Sequence, residues 1–308
     1  MNTPTEAGHE FAGVAAPGSN TMTTRPFYWS VRRELWENRS IYFAPLIVAA
    51  IQVFGFAVSM HGLTGRRRAL LLLDSSIRHA RIAQPYDLAA MMMIFTVFIV
   101  GFFYCLDALY GERRDRSILF WKSLPVSDLT TVLSKATIPL LVLPLVTFGV
   151  VVSTHLLMLL MSTVALASSG LAGTTWANFN LLRQSFILFY SLIVLALWHA
   201  PIYGWLLLVS GWVKRAAFLA AVLPFIAIGI FEKITFGTSH FASFVNDRLT
   251  GFASHAFDFQ GRAHPVVESL AQLTPGRYLS DPGLWLGLVV AAVFIGAAVR
   301  LRRFRGPI

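Results

Sequence analysis

Six apolar runs, at 42–60, 88–109, 136–161, 185–209, 216–231 and 284–299, each come close to the length a helix needs to cross a bilayer. A hydrocarbon core about 30 Å thick takes about 20 residues at 1.5 Å per residue. No water reaches the backbone polar groups in that core, so each run must close its own hydrogen bonds as a helix. The expected fold is an all-α integral membrane protein with six transmembrane helices. The fifth run is short and holds Pro224, which predicts a tilted or broken span, or one paired with a re-entrant segment. Composition agrees: 56% of the 308 residues are hydrophobic, 13% are charged and the mean hydropathy is +0.64, too apolar for a soluble domain. Residues 26–308 are read as a single six-span domain. The tail at 1–25, rich in Gly, Ala, Thr and Pro, lacks the apolar core of a signal peptide and is expected to be disordered.

The net charge of +10 does not form the single basic stripe of a nucleic-acid binder, because the basic residues flank the apolar runs. Placing the N-terminus in the cytoplasm gathers four basic groups on the inner side. They are Arg25, Arg32, Arg33 and Arg39; Arg113, Arg114, Arg116, Lys122 and Lys135; Lys214 and Arg215; and Arg300, Arg302, Arg303 and Arg305. The positive-inside tendency therefore favours an N-in, C-in topology. One connection runs against it, since Arg66, Arg67, Arg68, Arg78 and Arg81 fall outside, only partly offset by Asp74 and Asp87. The single cysteine, Cys105, lies within an apolar run, which excludes an intrachain disulfide or a cysteine metal cluster.

Before the first span, PFYWSVRRELWENRS carries helix-start signals: Thr23 or Thr24 as N-cap and Pro26 in the first turn. At helical spacing Tyr28, Val31 and Leu35 share a flank beside Trp29 and Trp36, while Arg32, Arg33, Glu37 and Arg39 take the rest. Aromatics with arginines suit the headgroup layer. This predicts a helix lying flat on the inner surface, with Trp29, Arg32, Arg33 and Trp36 at the membrane interface. A helical extension of the first span is the alternative.

Between the second and third spans runs YGERRDRSILFWKSLPVSDLTTVLSK. Glu112, Arg113, Arg114, Asp115 and Arg116 bring opposite charges close together. Ser117 can cap a short helix with Ile118, Trp121 and Leu124 near one face, which Pro125 ends. Ser127 and Asp128 begin the next helix, which continues into the third span. The product is a short amphipathic rod across the ends of two membrane helices.

This ERRD-x-SILFW-KSLPVS core between two spans, with the flat N-terminal helix, the six-span layout and the long loop before the last span, resembles the membrane subunits of ABC-2 type transporters. The resemblance covers most of 26–305. It implies that Glu112, Arg113, Arg114, Asp115, Arg116, Ser117, Ile118, Leu119, Phe120, Trp121, Lys122 and Leu124 form a coupling helix that docks on an ATP-binding subunit. It further implies export, a second membrane subunit that is a copy or a paralogue, and residence in a bacterial inner membrane. The outer arginine loop departs from the pattern.

No G-x-x-x-x-G-K-[ST] phosphate loop occurs, so ATP and Mg would be held by a partner chain and this chain is not itself an enzyme. Two other classes compete: a membrane-embedded scaffold or sensor whose loop binds a non-ATPase partner, and an intramembrane enzyme built on histidines. Ionisable residues within spans are functional candidates by default, here Asp107, His155 and His199. His155 and His199 are expected about 12 Å apart in depth, too far for one site. His199 precedes Pro201 and is expected to bond the carbonyl that the proline frees. Asp107 is expected to pair with Arg113 or Arg114.

In the long outer loop, His240, His255, Asp258 and His264 lack zinc-ligand spacing, and no metal is expected. Phe241, Phe244, Val245, Leu249 and Phe252 recur near helical period, predicting an amphipathic helix in the outer leaflet that can act as a lid. Gly149, Ser153, Thr154, Ser191 and Gly204 could line a path or allow close helix packing, of which packing is the commoner reason.

Overall fold

The computed structural model describes residues 25–123, 125–259, 267, 269–306 and 308. Residues 1–24 of the expected tail, with the candidate caps Thr23 and Thr24, lie outside the described residues, as do Leu124 and His264, and Arg25 occupies the N-cap of α1 without a side-chain cap. In chain order the helices are α1 (Pro26–Glu37), α2 (Ser40–Ser59), α3 (Leu63–Leu71), α4 (Ser75–Ala108), α5 (Tyr110–Arg114), α6 (Ile118–Ser123), α7 (Asp128–Thr137), α8 (Leu143–Leu166) and α9 (Thr174–Asn178). They continue with α10 (Leu181–Trp212), α11 (Ala217–Phe236), α12 (His240–Thr250), α13 (Phe252–Ala256), α14 (Pro275–Leu279) and α15 (Pro282–Phe304). Among the described residues no strand forms, only one isolated bridge between Phe257 and Leu273.

Six helical stretches are long and apolar enough to cross a membrane: Ser40–Ser59, Ser75–Arg114, Asp128–Ser169, Leu181–Trp212, Ala217–Phe236 and Pro282–Phe304. That is the makeup of a multi-pass membrane protein. The fifth is longer than the sequence predicts and unbroken, with Pro224 carried inside it. The second and third exceed their apolar runs because charged and polar residues flank the runs without interrupting the helix. The second starts at Ser75 and carries Pro85 in its interior. In the third, α7 passes into α8 through a π-helical turn, Ile138–Val142, which contains Pro139 and precedes Pro144. Prolines supply no N–H, and a single π turn is one way for a helix to absorb the missing bonds.

Helix α10 is the axis of the bundle, with Trp198, Tyr203, Leu206, Leu207 and Val209 buried. It packs most extensively against α15, and also against α4, α8 and α11. Gly204 permits the closest approach: a Cβ there would stand 3.1 Å from the Ala291 carbonyl oxygen. Gly149 has no such neighbour and lines an open groove between α2 and α8. Ser153, Thr154 and Ser191 donate to carbonyls of their own helices, at Gly149, Val150 and Ile187.

Two caps close the bundle. At one end α1 and α5–α7 form a layer, described below. At the other, α12–α14 fold back onto α10. There Trp198 lies between the Arg248 guanidinium, 4.2 Å from its ring, and the His255 ring at 4.4 Å. His255 meets Asp281 at 2.5 Å and Asp247 at 3.2 Å. Tyr278 donates to the Val194 carbonyl at 3.0 Å.

Candidate functional site

The layer at the end of α4 is built around a buried ion cluster. Four elements supply it: Arg33 and Glu34 from α1, Glu112 from α5, Asp128 and Lys135 from α7, and Arg302 from α15. Glu34 is completely buried and Lys135 is 2% exposed. Lys135 Nζ lies 2.8 Å from Glu34 and 3.1 Å from Glu112. Arg33 reaches Glu34 at 2.7 Å and Glu112 at 3.3 Å. Arg302 bridges Glu112 at 3.4 Å and also pairs with Asp128. The Tyr104 hydroxyl donates to the other Glu34 oxygen at 2.8 Å. The charges balance across the cluster, as burial requires, since an unpaired buried charge costs several kcal/mol. Burial by itself would push the Glu34 carboxyl up, but Lys135 and Arg33 outweigh it and hold the group below its ordinary value.

Local chemistry explains the shape of the layer. Helix α4 stops where the Ser210 hydroxyl accepts from the backbone N–H groups of Leu109 at 2.9 Å and Tyr110 at 2.8 Å. Arg113 turns inward and donates to the carbonyls of Gly211 at 2.9 Å and Val213 at 3.0 Å, capping the C-terminal end of α10. Arg116 has a positive φ of 59° and makes the turn between α5 and α6. The Ser127 hydroxyl accepts from Thr130 N at 3.1 Å and starts α7, as the sequence predicts. Ser117 instead points its hydroxyl back to the Glu112 carbonyl at 3.4 Å.

The structure divides the predicted coupling stretch in two. Glu112, Arg113 and Ile118 are buried and belong to the support. Arg114, Asp115, Arg116, Leu119, Phe120 and Lys122 are exposed, with Leu119 and Phe120 each about 60% open. Trp121 is half-buried, and the Arg33 guanidinium lies 4.0 Å from its ring. Lys122 donates to the carbonyls of Arg303 at 3.4 Å and Arg305 at 3.1 Å. Helix α6 is therefore keyed to α1 by a cation–π contact and to the end of α15 by hydrogen bonds, and it presents an apolar pair to solvent.

On α1, Trp29 and Trp36 are exposed with Arg32 between them, 5.1 and 4.6 Å from the two rings. Arg33, expected with them at the membrane interface, turns into the ion cluster instead, because Glu34 and Glu112 both sit on that side. Glu34 itself escaped the sequence reading. Its signal was a carboxylate between Val31 and Leu35 on the apolar flank, where no charge belongs without a partner.

Asp107 pairs with Arg114 at 3.8 Å, as expected, while Arg113 goes elsewhere. The histidines do not converge. His155 bonds the Tyr86 carbonyl at 3.0 Å among Tyr86 and Phe179. His199 bonds Leu195 O at 2.9 Å and Leu249 O at 3.1 Å, so it ties α10 to α12 rather than serving the carbonyl that Pro201 frees. Among the described residues no group of three or more His, Cys, Asp or Glu is placed to hold a metal.

Compared with known proteins, the chain matches no family model, no curated protein and no solved structure.

Proposed function

We propose that this chain is the membrane subunit of an ABC-2 type transporter, an exporter that works with separate ATP-binding subunits and a second membrane subunit. The observation that carries this reading is the exposed Leu119–Phe120 pair on a short helix keyed to α1 through Arg33–Trp121 and to the end of α15 through Lys122, next to an α5 that Glu112 locks to α1, α7 and α15 by buried ion pairs. A surface helix that merely turned the chain would need no such foundation. A helix that transmits force does, because load applied at α6 must reach the spanning helices without being absorbed by loop motion. The sequence ERRDRSILFWKSLPVS, whose likeness to coupling helices is described above, supports the same assignment.

On this reading the α1 and α5–α7 layer faces the cytoplasm, and ATP and Mg bind wholly within the partner. ATP-driven closure of two such partners moves the α6 rods and shifts the bundle between inward-facing and outward-facing states. The shift is driven to the extent that nucleotide favours one state. The test is purification of the solubilised chain. A stoichiometric ATPase is expected to accompany it, and Leu119→Ala with Phe120→Ala is expected to weaken that association about tenfold or more, as loss of an interface anchor does, with the melting temperature unchanged. Retention of a partner without ATPase activity would replace this reading with that of a scaffold or sensor.

A further inference from the structure

A cavity of about 360 Å³ opens beside the same layer, between the α1–α2 junction and α4, lined by Asn38, Ser40, Ile99, Val100, Phe103, Tyr104 and Asp107. Its chemistry is graded. Ile99, Val100 and Phe103 form an apolar wall one to two turns deeper along α4 than Asp107, toward the middle of the spanning helix. The Tyr104 hydroxyl is engaged by Glu34, so Tyr104 adds only ring surface. The rim is made of acceptors. Asn38 uses its amide nitrogen on the Glu34 carbonyl at 3.1 Å, which leaves its oxygen for a ligand. Ser40 offers a hydroxyl. Asp107 offers a carboxylate that is 59% exposed and held only loosely by Arg114 at 3.8 Å. Gly111, one turn on, keeps that carboxylate unobstructed, since a Cβ there would stand 3.1 Å from Asp107 Oδ2.

We infer that this cavity binds a phospholipid carrying a primary ammonium head group, with the acyl chains along Ile99 and Phe103. An ammonium brings three N–H donors and a positive charge, matching a rim of acceptors that includes one carboxylate. A quaternary amine brings no N–H, and a glycerol head group brings no charge to pair with Asp107. The neighbouring Arg39 is exposed at the same level and suits the lipid phosphate. The inference stands on the cavity alone and does not depend on the transporter reading.

The test is native mass spectrometry of the full-length chain in detergent, titrated with phosphatidylethanolamine, phosphatidylcholine or phosphatidylglycerol. One phosphatidylethanolamine per chain is expected to be retained in preference to the other two. Asp107→Asn should weaken its retention about tenfold, the scale of a lost charge-assisted hydrogen bond. Asp74→Asn, an exposed carboxylate outside the cavity, should leave it unchanged. Ile99→Trp, which fills the apolar end from the exposed side, should abolish it and serves equally where Asp107→Asn does not fold. Equal retention of the three lipids overturns the inference, as does undiminished phosphatidylethanolamine retention in either cavity variant.

Discussion

Lys135 is the residue on which the ion cluster turns, because it touches both buried glutamates and no solvent compensates for its removal. Lys135→Met is expected to lower stability by about 3–5 kcal/mol, the usual cost of stranding a buried charge, read from thermal unfolding in detergent. Combining it with Glu34→Gln should cost less than the sum of the two single changes, since each single change leaves the other's charge short of its partner and the double change removes both. Acid should act on the same group. A carboxyl held below its unfolded-state value contributes stability above that value and loses it as pH falls through the folded-state value. The melting temperature should therefore hold steady down to about pH 5 and drop below about pH 4, the ordinary glutamate range. The extra acid sensitivity of the unaltered chain over Glu34→Gln measures the contribution of Glu34; identical acid profiles would remove Glu34 from this role.

At the scale of elements, the two caps are fastened differently. The α1 and α5–α7 layer is held by buried charges, whereas α12–α14 join α10 by apolar and aromatic packing around Trp198 and by hydrogen bonds of His199 and Tyr278, with the half-exposed His255 lying against Trp198. Helix α12 buries only Arg248 and α13 only Ala256, against sixteen buried residues of α10, and fewer buried contacts mean lower local stability. Amide exchange in α12 and α13 should be faster than in α10, and His255→Ala should speed it further by about tenfold, the scale of one or two lost charged hydrogen bonds. If exchange in α12 and α13 is unchanged, His255 is not the fastener. The spans were readable in advance: the apolar runs marked all six, and Ser127 marked the start of α7, whereas nothing marked the short helices α3, α9 and α14. Their lengths were not. Hydropathy reports where lipid is tolerated, not where hydrogen bonding stops, so the charged start of α4 at 75–87 was assigned to a loop although it is helical. The distant partners of Glu34, Glu112 and Arg302 were equally unreadable, because pairs 70 to 190 positions apart leave no periodicity in sequence.

For the whole molecule, the proposed topology predicts that α6 and the α3–α4 turn lie on opposite faces of the membrane. The native Cys105 is fully buried, so the unaltered chain should be silent to a membrane-impermeant maleimide. Phe120→Cys in intact cells should also stay unlabelled until the membrane is opened, and Leu72→Cys, at the most exposed of the large apolar side chains, should label at once. The reverse pattern would place the proposed coupling rod where no ATPase could reach it. The ion cluster also sets an order of events in biosynthesis. Glu34 emerges from the ribosome before the first of the six spans, Lys135 after two of them, and Arg302 only with the sixth. Until the sixth span is made, Glu112 and Asp128 wait without Arg302. A nascent chain that stalls before its sixth pass would thus carry a self-made defect that membrane quality-control proteases and chaperones can recognise, and arrival of Arg302 would erase it.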